Sequence, residues 1–212
     1  MLLADDLAPF CSTGEKVAEE VVEEEKVVEE EVVEEAEKVV VEEVAFVGLY
    51  DALMNEFKDD FGVWDAELTK DDLLFRFNNP LALFETGKSD LKVGFTDILS
   101  DFFPRYLKVI EKYKGEIKEI NIEGHSSSEY KGATTDAQRY ALNKKLSTNR
   151  ANEVRDYVVN EASANTEMDK EWINNTFKGK GMSYDDLIMN PDGSENVSAS
   201  RRVDFKILKI EQ

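Results

Sequence analysis

The segment Ile122–Gly132 reads IEGHSSSEYKG, and Gly124–Ser128 within it run G-H-S-S-S. Serine beside histidine raises the question of nucleophilic catalysis. A nucleophilic serine needs a general base within hydrogen-bond reach. The chain's one histidine, His125, is the immediate neighbour of Ser126. At an extended strand end successive side chains point to opposite faces, so that imidazole turns away from Ser126. The closing glycine of a G-x-S-x-G turn is also missing, because Ser128 stands there. The loop therefore reads as something other than a catalytic turn, and no residue is assigned a catalytic role. His125 reads as a packed, backbone-bonded residue, with a ligand role as the lesser alternative.

A second constellation lies downstream. Leu142, Leu146, Val154 and Val158 form an apolar helical stripe, and Arg150 fills its gap. A charge set in an apolar stripe must find a partner or a wet pocket. Asn143, Ser147 and Arg150 follow at spacings of four and three, which puts them on one side of a helix. Arginine grips a carboxylate with a planar two-point fork, which is recognition chemistry. Equally compatible with the spacing is a structural ion pair between Arg150 and Asp204 or Glu123.

These residues need a scaffold. LLFRF (Leu73–Phe77) reads as a strand. A long helix follows, with Leu91, Phe95, Ile98, Leu99, Phe102, Tyr106, Val109, Ile110 and Tyr113 on its inner face and a kink or break expected at Pro104. Ile117–His125 reads as a buried strand, and Thr134 or Thr135 caps a second helix from Asp136 to about Ala162. Asn175–Met182 is a further candidate strand, and Arg201–Ile210 alternates as a final one. The pattern predicts a mixed sheet with helices on one face.

Upstream, the chain changes character. Glu15–Ala45 is low-complexity Glu, Val and Lys and carries a net −11 of the chain's −20. Its valine pairs recur near, but not at, a heptad period, so a solvated spacer and a coiled-coil strand for self-association or a partner helix are both open. Residues 1–14 read as an unstructured N-terminus, 15–45 as an acidic helical or disordered stalk, 46–70 as a linking helix, and 71–212 as the folded domain. The acidity argues against nucleic-acid binding. A lone Cys11 and a lone His125 supply neither a disulfide nor a Cys/His metal site, and no cofactor is expected. No run reaches the length of a membrane helix, and the N-terminus lacks the form of a signal peptide.

LFETGKSDLK, IEGH, NKKLSTNRANEVRDYV and SRRVDFKI occur in the order found in the OmpA-like (OmpA/MotB C-terminal) peptidoglycan-binding domain, which the chain resembles from about Leu73 to Ile210. DFFPRY and IEGHSSSEY look closest to the MotB-like stator subunits of the Zorya type. The resemblance implies an α+β fold, an α/β sandwich of β-α-β-α-β-β order, in the periplasm or cell envelope. It implies binding of the peptide stem of peptidoglycan without catalysis. Arg150 would grip a carboxylate of diaminopimelate, Asn143 and Leu146 would shape the pocket with Ser147 beside them, and Ser126, Ser127 and Arg201 would line it. The family places an Asp where this chain has Ser127, so the expected acidic contact to the ligand's ammonium is absent there, and Glu129 or Asp136 are the candidates to replace it. The stator subunits also carry a membrane helix upstream, which this chain is expected to lack, as a truncated or fused product would. A protein-interaction or assembly module, or a stator-like component without its membrane helix, is the alternative function.

Overall fold

In the computed structural model, residues 48–78, 83–84, 87–164 and 166–210 are described. The chain divides into two units, Met1–Phe46 and Val47–Gln212. The expected N-terminus 1–14, the 15–45 stalk and its coiled-coil reading lie outside the described residues.

Phe57 and Leu53 lie on a helix, α1, over residues 48–57, and both are fully buried. The linking helix expected over 46–70 does not run its full length. A short helix, α2 (Phe61–Trp64), ends where Asp65 adopts a left-handed φ of 51°, and the chain reverses into strand β1 (Ala66–Thr69). Trp64 is the reason the helical spacing stops there. Its ring packs on Phe57, Phe77 and Phe102, so the chain turns to serve the core rather than to continue a stripe.

β1 pairs antiparallel with β2 (Leu74–Phe77), and β2 pairs antiparallel with β5 (Val203–Lys209). β5 pairs antiparallel with β3 (Ile117–His125), and β3 runs parallel to β4 (Phe177–Ser183), giving the order β1-β2-β5-β3-β4. The fold is thus mixed α and β, with β1 as an added edge strand on the expected β-α-β-α-β-β order.

One face of the sheet is apolar. Phe75, Phe205 and Ile122 stand in register across β2, β5 and β3, and all three are fully buried. Helix α3 (Val93–Ile110) crosses this face. Its Phe102 ring lies 4.7 Å from Phe75, 5.0 Å from Tyr106, and 5.2 Å from each of Phe57, Phe77 and Phe205. Removing such a ring costs about 3–5 kcal/mol. Of the kink or break expected at Pro104, the break does not occur, and α3 runs as one helix from Val93 to Ile110. Phe102, Phe103 and Tyr106 are all fully buried around that position, and Ser100, whose carbonyl would lose its partner, is exposed to water.

Helix α4 (Asp136–Tyr157) starts where expected, its N-cap Thr135 accepting the Gln138 N–H at 3.2 Å, and continues as a π turn over Val158–Ala162. It packs on the same sheet face at backbone contact. A methyl at Gly124 would meet the Ser147 carbonyl oxygen at 2.3 Å, and one at Gly181 the Thr148 N at 2.3 Å. This closeness overturns the first half of the expected stripe, whereas Val154 and Val158 are fully buried as expected. The buried side is Asn143, Ser147, Arg150, Ala151 and Val154, while Leu142 and Leu146 are half-buried flanks. Small and polar side chains face the sheet because glycines leave no room for leucines. A short helix, α5 (Lys170–Thr176), capped by Asp169, precedes β4.

A candidate ligand site between the serine loop and helix α4

The loop Ser126–Ser128 begins where β3 ends. Its first N–H, from Ser126, donates to the Ser183 carbonyl at 2.7 Å. Ser183 is fully buried at the end of β4, holds a left-handed φ of 54°, and receives its own support from α4. Its N–H donates to Ser147 Oγ at 2.9 Å, and its hydroxyl donates to the Tyr140 carbonyl at 3.1 Å. The Ser147 hydroxyl in turn donates to the Lys144 carbonyl at 3.1 Å. Ser147 is therefore a positioning residue, which joins helix, strand and loop.

Arg150 lies one turn further along α4 and is 7% exposed. Its Nε donates to the Lys88 carbonyl at 3.0 Å, and its guanidinium lies 4.8 Å over the Phe84 ring. Burial and the positive charge of Arg201 push its pKa down to about 10. The structural ion pair with Asp204 or Glu123 is not formed. Asp204 lies on the opposite sheet face, where Arg76 grips it with Nε at 3.1 Å and Nη2 at 3.2 Å. Arg202 Nε adds a third bond to it at 3.1 Å and also pairs with Asp186.

His125 belongs to that opposite-face cluster. Its Nε2 lies 3.3 Å from Asp204 Oδ2 and 3.7 Å from Glu123 Oε2, an electrostatic approach without good hydrogen-bond alignment. Burial alone would lower its pKa, but the Asp204 and Glu123 carboxylates outweigh burial and raise it. The imidazole is committed to these carboxylates and gives Ser126 no base. Ser126 Oγ itself is buried without a hydrogen-bond partner among the described residues. Ser128 and Lys131 stand at S-x-x-K spacing, yet the Ser128 hydroxyl donates to Glu195 Oε2 at 2.5 Å and its N–H to Glu195 Oε1 at 3.0 Å.

Ser127 is 1% exposed, and its Oγ accepts from Arg201 Nε at 3.0 Å. Arg201 also donates through Nη2 to Glu129 Oε2 at 2.9 Å, and the Glu129 carbonyl accepts from Asn143 Nδ2 at 3.4 Å. Asp136 is engaged instead by Arg139 at 2.8 Å. The structure thus links Ser127, Glu129, Asn143 and Arg201 directly, with Arg150 close enough to feel the charge of Arg201. Leu146 flanks this group half-buried. Spacing along one helix does not point to Phe84, Lys88, Glu129, Ser183 or Glu195, because they come from other segments. Phe84 and Lys88 do fall in the LFETGKSDLK segment, which was a signal. Among the described residues no cluster of His, Cys, Asp and Glu is arranged to hold a metal, and no helix is long and apolar enough to cross a membrane.

A five-stranded mixed sheet, helices on one face and an arginine on the second long helix beside a polar strand-end loop place the chain in a known class. The OmpA family profile matches residues 83–196, and the chain belongs to that family. Among individual relatives it is similar to Zorya protein ZorB of Escherichia coli, 40% identical over 172 residues that span 81% of this chain and 72% of that protein. Two solved structures share the fold. One is a MotB-like protein from Desulfovibrio vulgaris, with a TM-score of 0.55 and 20% identity, covering 79% of this chain and 93% of that one. The other is the cell wall anchor of the T6SS from Pseudomonas aeruginosa, with a TM-score of 0.50 and 19% identity, covering 74% and 97%.

Proposed function

We propose that this chain is a non-catalytic cell-wall-binding head that grips the peptide stem of peptidoglycan through Arg150, at the bacterial envelope. The observation that carries the reading is the state of that guanidinium. It is buried, stacked on Phe84, and held down to a pKa of about 10 by burial and by Arg201. A carboxylate arriving there relieves the repulsion between two cations and accepts charge-assisted hydrogen bonds in a site of low dielectric. Glu129, fixed by Arg201, supplies a negative pole beside the positive one. The ligand that matches both poles is a zwitterionic amino-acid centre, as in diaminopimelate. Asn143 holds the Glu129 backbone, Leu146 gives the apolar flank, and Ser126 and Ser127 form the opposite wall.

The test is co-sedimentation of the purified protein with peptidoglycan sacculi. Wild type pellets with the wall. Arg150→Lys keeps the charge but loses the fork and the flat stack on Phe84, and it pellets less. Arg150→Ala stays in the supernatant. Wild type remaining in the supernatant overturns the proposal.

The likeness to Zorya protein ZorB and to a MotB-like fold favours a second reading, in which the same head serves a stator-type assembly. The two readings are compatible, since a stator needs an anchor. Pairing through the 15–45 stalk would belong to this second reading. Light scattering of the full chain and of a chain lacking residues 1–45 separates a stalk-driven oligomer from a monomeric head.

A further inference from the structure

Beside the serine loop stands an aromatic pair that the stem-binding reading does not use. Tyr140, on the first turns of α4, and Tyr184, directly after β4, meet edge to face with ring centroids 5.4 Å apart and planes at 81°. Tyr140 is 36% exposed, the level of a surface residue, although it carries a large ring. The pair is ringed by polar groups. Tyr140 Oη donates to Asp185 Oδ2 at 3.0 Å, Tyr184 Oη donates to the Asp136 carbonyl at 3.4 Å, and Lys144 Nζ lies 3.9 Å from Asp185.

Its place is fixed by the same bonds that build the candidate site. Ser183 donates to the Tyr140 carbonyl, receives support from Ser147, and accepts from Ser126, so the tyrosines are one residue removed from the serine loop. Tyr140 also lies three residues before Asn143, which holds Glu129.

We propose that Tyr140 and Tyr184 form a sugar subsite, which takes the N-acetylated amino-sugar strand to which the stem peptide is attached. This rests on the stem-binding reading and extends it. An exposed ring beside a carboxylate is the chemistry that recognises a pyranose. The axial C–H face of the sugar packs on the ring, and its hydroxyls donate to Asp185. The pair is not a stable apolar groove for a protein, because it is small and rimmed by charge.

The length of the ligand fits the separation. Ten residues of α-helix between Tyr140 and Arg150 rise about 15 Å, and an arginine side chain in a helix leans back toward the N-terminus. Diaminopimelate is the third stem residue, and three extended residues span about 10 Å, with the lactyl ether adding to that. A stem that runs from Arg150 toward the start of α4 delivers its sugar to the tyrosines.

The experiment uses the full chain and two probes in titration calorimetry: a sugar-free stem peptide containing diaminopimelate, and the disaccharide carrying the same peptide. Wild type is expected to bind the disaccharide-peptide more tightly than the bare peptide. Tyr140→Ala and Tyr184→Ala are each expected to weaken the disaccharide-peptide by about three- to tenfold, the worth of one aromatic contact, and to leave the bare peptide unchanged. Tyr140→Phe keeps the ring and retains most of the gain, which also guards against a folding defect in the alanine variant. Equal affinity of wild type for the two probes overturns the sugar subsite, as does an alanine variant that loses both probes in parallel. Failure of the stem reading looks different: Arg150→Ala would bind both probes as wild type does.

Discussion

Ser147 Oγ accepts the backbone N–H of Ser183 at 2.9 Å, and both residues are fully buried. This bond joins the helix that carries Arg150 to the strand whose end holds the serine loop, because the Ser183 carbonyl accepts from Ser126. Ser147→Ala leaves that N–H buried and unsatisfied, at a cost of about 1–3 kcal/mol. The residue already sits at a positive φ, so it has little slack to find another partner. Urea denaturation checks the loss of stability. Amide exchange at Ser126 and Ser183 should speed up more than exchange at Ile120 or Phe205, which belong to the aromatic core.

Gly124 and Gly181 are matched to α4 rather than to turns. An alanine at Gly124 brings its Cβ to 2.3 Å from a helix carbonyl oxygen, and at Gly181 to 2.3 Å from the Thr148 N. Neither obstacle is a flexible side-chain tip, so the helix itself must lift from the sheet. Overpacking of this kind costs about 1–3 kcal/mol, and more where backbone must move. Gly124→Ala is expected to lower the melting temperature and to reduce sacculus binding together, since the lift displaces Arg150. Gly193→Ala also destabilises, through its φ of +83°, but with open space around it and far less effect on binding. Melting curves and co-sedimentation of the two variants make the comparison.

Much of the frame could be read from the chain because local rules and tertiary demand agreed. Ile117–His125 is a strand over the residues that its isoleucines indicated, and Thr135 caps α4 as its hydroxyl suggested. The misreadings fall where long-range packing decides. Ala66–Thr69 has helical neighbours in sequence, but Trp64 is needed in the core and the chain turns. Leu142 and Leu146 looked like the buried stripe by hydrophobicity, yet the glycines of β3 and β4 select Ser147 and Ala151 for the inside. The polar line Asn143–Ser147–Arg150 was legible as a unit, but its division of labour was not. Whether a serine faces a ligand or a strand end depends on the partner across the interface, here Ser183, thirty-six residues away.

His125 gives the fold a pH dependence of definite sign. Its pKa is raised above the ordinary 6.5 because Asp204 and Glu123 outweigh burial. Facing it are also the Arg202 cation, which opposes the charge, and Arg76, which shares Asp204. A raised folded pKa stabilises fully below the unfolded value of 6.5 and is lost as pH rises through the folded one. The stability gap between wild type and His125→Gln is therefore expected to shrink as pH rises above neutrality. Measurements stay above the carboxylate range, where Asp204, held low by His125, Arg76 and Arg202, would lose its own contribution as pH falls. Since the chain has one histidine, a proton NMR titration reads its pKa without assignment. A value at or below 6.5, or a gap that does not change with pH, would refute this account.

Ser127 poses the sharpest question, because its hydroxyl meets a cation. Arg201 Nε donates to Ser127 Oγ at 3.0 Å while Arg201 Nη2 holds Glu129 at 2.9 Å. Ser127→Asp places a carboxylate against that same guanidinium, in a position only 1% exposed. The added charge is paired on arrival, so the usual penalty for a buried carboxylate is largely offset. It also draws Arg201 away from Glu129, leaving the more exposed Glu129 free to meet an ammonium group. That change favours a ligand with a free ammonium group. A charge-assisted bond is roughly twice as strong as a neutral one, so the diaminopimelate stem is expected to bind about three- to tenfold more tightly. The gain should vanish when the free amine of the diaminopimelate side chain is acetylated. Calorimetry with the two peptides decides it: unchanged or weaker binding of the free-amine stem by Ser127→Asp would mean that the Arg201–Glu129 pairing does not limit the contact with the ligand's cationic group.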